Sequence, residues 1–139
     1  MNSLINLSEA TSIAIHSVAF IANSDKVVNA GEISTYTHFS KNHIAIVLQL
    51  LTKHNFLESE RGPSGGFKIK RAPEEISLLD IYTLMEGKPE IQYCGMHESG
   101  CIFTECVYGN IMDRVSQELI NFMQNRTIKD LMIPTLIKK

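Results

Sequence analysis

The sequence contains no long hydrophobic run. Its longest apolar stretch, from Ile13 to Ala22, is interrupted by His16 and Ser17 and falls far short of the roughly 20 residues that span a bilayer. The N-terminus also lacks the charged region and the cleavage site of a secretory signal peptide. We therefore expect a cytoplasmic protein that does not associate with membranes.

Cysteine is scarce as well. The chain has three cysteines, an odd number, and all of them lie between positions 94 and 106. In a reducing compartment, such a cluster argues against a disulfide framework and favours metal or redox chemistry.

The chain has little net charge, a formal -2, which by itself does not suggest a nucleic-acid partner. Residues 38–71, however, carry six basic residues against two acidic ones, a local charge of +4, which leaves -6 for the remainder. Screening confines each patch to roughly 8–10 Å, so the local field governs an encounter with phosphate. The alternative is a basic face that is merely solvated.

No catalytic constellation is apparent. Gly62-x-x-Gly65-Gly66 lacks the Lys-Ser/Thr and the helix that complete a phosphate-binding loop. A nucleophilic cysteine assisted by His97 is the formal exception, but clustered cysteines favour metal binding. We expect that the protein is not an enzyme.

The first half of the sequence predicts three helices. Ser8 is expected to cap a helix that runs to about Asn23, and Asn29 or Gly31 begins a short second helix. Ser40 caps a third helix, to about residue 54, with apolar residues at helical spacing. The last two helices, joined by a tight turn, form a helix-turn-helix whose second helix fits the DNA major groove. The apolar residues of the third helix are Ile44, Val47, Leu48 and Leu51.

The hydrophobic period changes after residue 61. Phe67, Ile69 and Arg71 alternate with Lys68 and Lys70, after a turn at residues 62–66, which predicts a β-hairpin. The glycines at 65 and 66 are expected to allow positive φ and close backbone approach. A basic hairpin that directly follows a helix-turn-helix is typical of a wing, which contacts phosphates or enters the minor groove.

The second half predicts a helix over residues 78–86, capped by Ser77 and ended by Gly87. After the cysteine loop, an apolar stripe predicts a helix of some 20 residues from about Thr104 to Gln124. Such a helix has surplus apolar surface to bury against a second copy, although packing within one chain is the alternative. A last short helix, capped by Thr127, is expected over residues 128–132. The stripe consists of Val107, Ile111, Val115, Leu119 and Phe122 or Met123.

The expected fold is mainly α with a small β-hairpin wing (α+β), a winged helix-turn-helix followed by a long C-terminal dimerisation helix. We divide the chain into a DNA-binding domain (1–87), a cysteine loop that binds a cluster (88–107), the dimerisation helix (104–126) and a short helix with a tail (127–139). A two-fold dimer matches a palindromic site in double-stranded DNA.

The DNA-reading residues are predicted at two places. One is the exposed first turn of the third helix, where Asn42 is suited to read adenine. The other is the wing, where Arg61 is the strongest candidate. The alternative for Asn42 and His43 is solvent exposure and helix capping. The predicted DNA-binding residues are Ser40, Lys41, Asn42, His43, Arg61, Ser64, Gly65 and Lys68.

Several stretches of the chain resemble the Rrf2 family of winged-helix regulators, which includes the iron-sulfur regulator IscR and the nitric-oxide-sensitive repressor NsrR. The resemblance lies in residues 7–16, 39–43, 61–67 and 75–81 and in the three-cysteine loop. It implies a homodimeric repressor or activator that binds DNA. Members are often switched by an iron-sulfur cluster that senses redox state, nitric oxide or iron supply.

Cys94, Cys101 and Cys106 follow the spacing C-x6-C-x4-C in a loop that contains Gly95 and Gly100. Thiolates are suitable ligands for iron, and a flexible loop can wrap around a cluster. With the resemblance, the three cysteines imply an iron-sulfur cluster of two-iron or four-iron form. Three cysteines leave one iron position for another ligand.

The resemblance also bears on this fourth ligand. IscR-like members have a histidine three residues after the last cysteine, where this chain has Gly109. NsrR-like members can use an aspartate of the partner's first helix, and the matching residue here is Ser12. Some members use a histidine one turn later, which corresponds to His16, so we favour His16 from the partner subunit. Glu9, Ser12, His97 and solvent remain alternatives, as does a structural role for His16 at the dimer interface.

Other interpretations of the cysteines stay open. Cys94-x2-His97 suits zinc, and a Cys3His site fits the residue count. The thiols can also sense redox state without metal. The alternative function is therefore a cluster-free or zinc-binding regulator of the same fold that takes its signal from thiols or a protein partner. A metal-dependent module that binds protein instead of DNA is disfavoured by the basic wing.

Overall fold

The first four helices begin where the sequence predicts them, because each start has a side chain that satisfies a free backbone N–H group. Asn29, rather than Gly31, caps the second helix: its side-chain oxygen accepts a hydrogen bond from the N–H of Glu32 at 2.9 Å, and the Glu32 carboxylate accepts one from the N–H of Asn29 at 3.4 Å. The capping residues of the first four helices are Ser8, Asn29, Ser40 and Ser77.

The computed structural model describes residues 4–90 and 100–132. In these ranges it has five α-helices and one two-stranded antiparallel sheet, and short 3-10 turns at Pro73–Glu75 and Ile128–Leu131. The elements are α1 (Glu9–Ala22), α2 (Ala30–Thr37), α3 (Lys41–Lys53), β1 (Leu57–Glu60), β2 (Gly66–Ile69), α4 (Leu78–Glu86) and α5 (Ile111–Asn125).

Helix α1 lies at the centre of the hydrophobic core. It packs against α3, α4 and β2 and against the 3-10 turn at Ile128–Leu131. Its inner face is fully buried, and so is the inner face of α3 that meets it. Burial of these side chains orients α3 so that its opposite face is exposed. The fully buried residues include Ile13, Val18, Ile33, Ile44, Leu48, Leu51, Ile76, Ile81 and Ile128.

The wing is attached to the start of α2. Strands β1 and β2 pair with Ser59 opposite Phe67. Val28 pairs with β2 through an isolated antiparallel bridge. Its N–H donates to the Phe67 carbonyl at 2.9 Å, and the Phe67 N–H donates to the Val28 carbonyl at 2.8 Å. Strand β2 ends at Ile69, so Arg71, which the alternation assigned to the strand, lies beyond it.

The wing glycines allow close backbone approach, as predicted, but the prediction of positive φ at positions 65 and 66 is wrong. A Cβ atom on Gly65 would collide with the Glu60 carbonyl, and one on Gly66 would lie 2.6 Å from the Val28 carbonyl oxygen. The left-handed glycine of the loop is Gly62, with φ +110°. Glycine is therefore needed at 65 and 66 for space rather than for backbone conformation.

Helix α5 begins at Ile111, later than the predicted start near Thr104. Gly109 and Asn110 have left-handed φ values of +62° and +60°, which a right-handed helix cannot pass through. Within α5 only Met123 is buried, although the helix contacts α4. In the described part of the chain, most of its apolar stripe is therefore at least partly exposed.

No helix in the described ranges is both long and apolar enough to cross a membrane.

The close approach between Gly66 and Val28 predicts a strong effect of a single methyl group. Gly66→Ala places its Cβ against backbone atoms that cannot rotate away, so we expect the free energy of unfolding to fall by about 1–3 kcal/mol. Urea denaturation followed by circular dichroism measures this change.

The control is Ser64→Ala, since Ser64 is exposed in the same loop. We expect it to change the free energy of unfolding by less than about 0.5 kcal/mol. Equal stability of Gly66→Ala and the unsubstituted protein would show that the wing does not need this contact.

Candidate nucleic-acid interface and cysteine loop

The turn between α2 and α3 is fixed by local hydrogen bonds. His38 has a left-handed φ of +66°, and its N–H donates to the Ser34 carbonyl at 3.0 Å. The Ser34 hydroxyl donates to the Phe39 carbonyl at 2.7 Å, and the Thr37 hydroxyl donates to the Ile33 carbonyl at 2.7 Å. The turn therefore holds the start of α3 outside the core, as the helix-turn-helix interpretation requires.

The first turn of α3 presents the predicted DNA-reading residues unequally. Lys41 and Asn42 are exposed. Ser40 caps the helix by accepting a hydrogen bond from the His43 N–H at 3.4 Å. His43 is less exposed, and its Nδ1 atom lies 4.0 Å from a carboxylate oxygen of Glu9 on α1. Lys41 and Asn42 therefore stand outward, whereas Ser40 and His43 also serve the local structure.

Two further residues on the outer face of α3 were missed by the sequence reasoning. Gln49 is exposed, and Ile46 is 67% exposed although it is aliphatic. The signal was present in the sequence, because Ile46 does not fit the buried spacing of its apolar neighbours Ile44 and Val47. An apolar side chain on the polar face of a DNA-reading helix is a candidate for base contact.

The wing has a more balanced charge than its sequence suggests. The Lys68 ammonium lies 3.0 Å from a carboxylate oxygen of Glu60 and 3.5 Å from one of Glu58, which stands opposite it in the strand register. These two carboxylates raise the pKa of Lys68, Glu60 through the larger effect. Lys68 is therefore paired within the wing, in contrast to Arg61, which is exposed at its edge.

The hairpin tip carries the other two predicted wing residues. Ser64 is exposed, and the N–H of Gly65 donates to the Gly62 carbonyl at 3.0 Å. Gly65 thus closes the turn with its backbone, and the hydroxyl of Ser64 is the polar group of the tip that faces solvent.

Two other cations of the basic segment, residues 38–71, bind the residues that directly follow α3. Arg71 lies over the ring of Phe56, 3.9 Å from its centroid, and donates to the carbonyls of His54 at 2.8 Å and Asn55 at 3.2 Å. Lys70 donates to the Asn55 side chain at 3.0 Å. In the described part of the chain, the cations of this segment that form no ion pair or hydrogen bond to protein are Lys41, Lys53 and Arg61.

His16 is exposed on α1 with one ring nitrogen engaged. Its Nδ1 atom lies 2.6 Å from the carbonyl oxygen of Ser12, and the hydroxyl of Ser12 is 3.5 Å away. Because a carbonyl only accepts hydrogen bonds, Nδ1 is the donor in this contact, and in the neutral ring the lone pair then belongs to Nε2. Histidines that bind metals through one nitrogen commonly donate the other N–H to a carbonyl. His16 thus has the tautomer of a potential ligand.

The cysteine loop is described only in part, since Cys94 and His97 lie outside the described residues. Cys101 and Cys106 are exposed free thiols. Backbone hydrogen bonds lower the pKa of Cys106, and burial opposes them. The hydrogen bond from Asn110 has the largest effect, and Tyr108 and Gly109 add to it. Across residues 4–90 and 100–132, no three histidine, cysteine or acidic side chains converge to hold a metal, so His16 and these two thiols do not form such a group within one chain.

Comparison with known proteins agrees with this geometry. Residues 7–134 match the family model Rrf2, described as iron-dependent transcriptional regulator. The chain is 27% identical over 110 residues to the HTH-type transcriptional regulator NsrR of Halalkalibacterium halodurans, which covers 78% of this chain and 75% of that protein. It is 37% identical over 83 residues to BadM of Rhodopseudomonas palustris, covering 59% of this chain and about half, 53%, of BadM.

Among solved structures, the fold is similar to that of CymR, the global cysteine regulator of Bacillus subtilis. The TM-score is 0.75 at 16% identity, and the match covers 93% of this chain and 97% of CymR. This likeness confirms the winged-helix fold. The family model, NsrR and BadM are all described as transcriptional regulators, which agrees with the expectation that the chain is not an enzyme. The chain belongs to the Rrf2 family and is a DNA-binding transcription regulator.

Proposed function

We propose that the protein acts as a homodimer whose binding to a palindromic promoter site is switched by an iron-sulfur cluster. Cys94, Cys101 and Cys106 of one subunit and His16 of the partner subunit would hold the cluster. The observation that carries this proposal is the position of the two described thiols. Cys101 and Cys106 are exposed in the segment that leads directly into α5, which carries the exposed apolar residues Ile111, Val115 and Phe122.

The exposed apolar residues of α5 support dimerisation. Phe122 is 56% exposed, and Ile111 and Val115 are about 40% exposed. A cavity of about 430 Å³ lies between this helix, α4 and residues 4–7. Apolar surface of this extent is costly to leave in water, and a two-fold partner would cover it with the same helix. The second copy would then bring its own α1 towards the cysteine loop.

The described ligand residues fit an iron-sulfur group. Cys101 and Cys106 are accessible soft donors, and His16 can offer Nε2 while Ser12 holds its other nitrogen. The backbone N–H groups around Cys106 favour its thiolate, the form that binds iron. When bound, the cluster would supply a centre that reacts with oxygen or nitric oxide. The family description as iron-dependent, and the similarity to NsrR, support an iron-based signal.

The same thiols support a second candidate, a cluster-free or zinc-binding regulator. An exposed Cys106 with a lowered pKa is suited to reversible oxidation without a metal. Cys94 and His97 would complete a zinc site with the other two cysteines. Metal analysis separates these candidates from the cluster.

For DNA contact we propose α3 in the major groove and the wing on the adjacent backbone. Lys41, Asn42 and His43 would approach from the first turn of α3, and Ser40 would add its hydroxyl. Arg61, with Ser64 and Gly65, would approach from the wing. Lys68 contributes less than its charge suggests, because Glu58 and Glu60 already neutralise it.

The cluster model predicts a coloured protein. After anaerobic purification, the full chain should be brown and contain iron and sulfide, and nitric oxide or oxygen should bleach its visible absorption. Cys106→Ala should remove the colour because it removes a ligand. Colourless protein with stoichiometric zinc would contradict the cluster and favour the zinc site.

The partner-supplied ligand predicts complementation between two inactive variants. A hybrid dimer of one His16→Ala subunit and one Cys106→Ala subunit retains one complete site only if His16 acts across the interface. We expect half of the iron of the unsubstituted dimer, measured after separation through different affinity tags. An iron-free hybrid would show that His16 does not act in trans.

Arg61 is expected to be the main wing contact. Arg61→Ala should weaken binding to a DNA site selected from a random library by about 1–3 kcal/mol, because the side chain is exposed and unpaired. Fluorescence anisotropy at several salt concentrations measures the loss. Lys129→Ala removes the same charge outside the helix-turn-helix and the wing and should bind normally. Equal losses in both variants would indicate a general charge effect.

The ion pairs of Lys68 predict that loss of its acidic partners, Glu58 and Glu60, strengthens DNA binding. Glu58→Gln combined with Glu60→Gln frees the ammonium for phosphate and removes two negative charges. Affinity for random-sequence DNA should rise, and the slope of log K against log salt should steepen by about 0.9 for one added contact. Glu74→Gln with Glu75→Gln, outside the wing, is the control. An unchanged slope would mean that Lys68 stays away from DNA.

A further inference from the structure

The outer face of α3 combines one apolar side chain with two amides. Asn42, Ile46 and Gln49 are exposed, whereas Ile44, Val47, Leu48 and Leu51 on the other side are buried. With 3.6 residues per turn, positions 42, 46 and 49 fall within a sector of about 60°. They form a single outward stripe, which we call the reading face, defined as Asn42, Ile46 and Gln49.

The reading face has the length of a short DNA sequence. Seven residues of helix rise about 10 Å, which equals the rise of about three base pairs. Ala45, at the edge of the stripe, is small and only partly exposed, so it would not hold the helix away from the bases. The stripe therefore allows close approach at its centre, where Ile46 stands.

The charges around the reading face favour DNA as the occupant over a protein partner. Helix α3 contains no acidic residue, and Lys41 and Lys53 stand at its two ends. Cations at both ends are suited to phosphates on either side of a groove, and an uncharged centre is suited to base edges. In the major groove, the apolar group that base pairs present is the C5 methyl of thymine.

We propose that Ile46 is a specificity-determining residue that packs against a thymine methyl group in each half-site. Asn42 and Gln49, on either side of it, are suited to adenine, which accepts at N7 and donates at N6. The reading face thus favours A·T pairs at the centre of its footprint. This inference rests on the proposed placement of α3 in the major groove.

The test compares thymine with deoxyuridine, which lacks only the methyl group. The full chain, purified anaerobically, first selects its site from a randomised duplex library. Each thymine of that site is then replaced by deoxyuridine. We expect one thymine per half-site at which the replacement weakens binding about fourfold, the value for one buried methyl group, and about 15-fold when both half-sites are changed.

Variants at position 46 connect this loss to the isoleucine. Ile46→Ala should bind thymine and deoxyuridine sites with equal affinity, whereas Ile46→Val should still distinguish them. Because the side chain is 67% exposed, these variants are expected to keep their fold, which circular dichroism checks. The inference is overturned if no thymine is sensitive to the replacement, or if Ile46→Ala keeps the same sensitivity.

A further variant separates this inference from the placement of α3. Asn42→Ala should change the selected base at a neighbouring position. If Asn42→Ala and Ile46→Ala both select the unchanged site with unchanged affinity, α3 does not read bases, and both the placement and the inference fail. If only Asn42→Ala alters the selection, α3 reads DNA and the role of Ile46 alone is overturned.

Discussion

The buried face of α1 is the constraint on which the other features depend. Ile13 and Val18 on this face have no exposed surface, and the helix packs against α3 and α4. Burial of each such side chain contributes roughly 1.5–3 kcal/mol, so α3 cannot rotate without exposing apolar surface. This packing directs the outer side of α3 to solvent, and with it the residues proposed to read bases.

Helix α1 also connects the proposed cluster site with the proposed DNA-binding surface. His16 lies on its exposed side, with its ring 6.0 Å from that of Phe39 in the turn between α2 and α3. Glu9, the first residue of α1, lies 4.0 Å from His43 on α3. A ligand bond at His16 would therefore act on a helix that contacts the proposed DNA-reading helix-turn-helix at Phe39 and at His43. Through these contacts, binding or loss of the proposed cluster would change the position of the proposed DNA-binding helices.

The charges of the wing show that a count of basic residues does not give the number of cations free to meet DNA. The count of +4 over residues 38–71 is correct, but Lys68 is paired with two glutamates, and Arg71 and Lys70 are bound to the end of α3. Ion pairs on a surface contribute little to stability, typically below about 1 kcal/mol. Their larger effect here is on the field that DNA encounters, because they leave Arg61 as the wing cation with no ion pair among the described residues.

The sequence by itself determined where the first four helices start, the buried stripe of α3, and the hairpin after the helix-turn-helix. These features depend on caps, hydrophobic period and turn residues that act over a few positions. It misplaced the start of α5, because the left-handed Gly109 and Asn110 override the apolar spacing. Only the tertiary structure decided which cations of residues 38–71 are paired, because pairing depends on which groups folding brings next to each side chain.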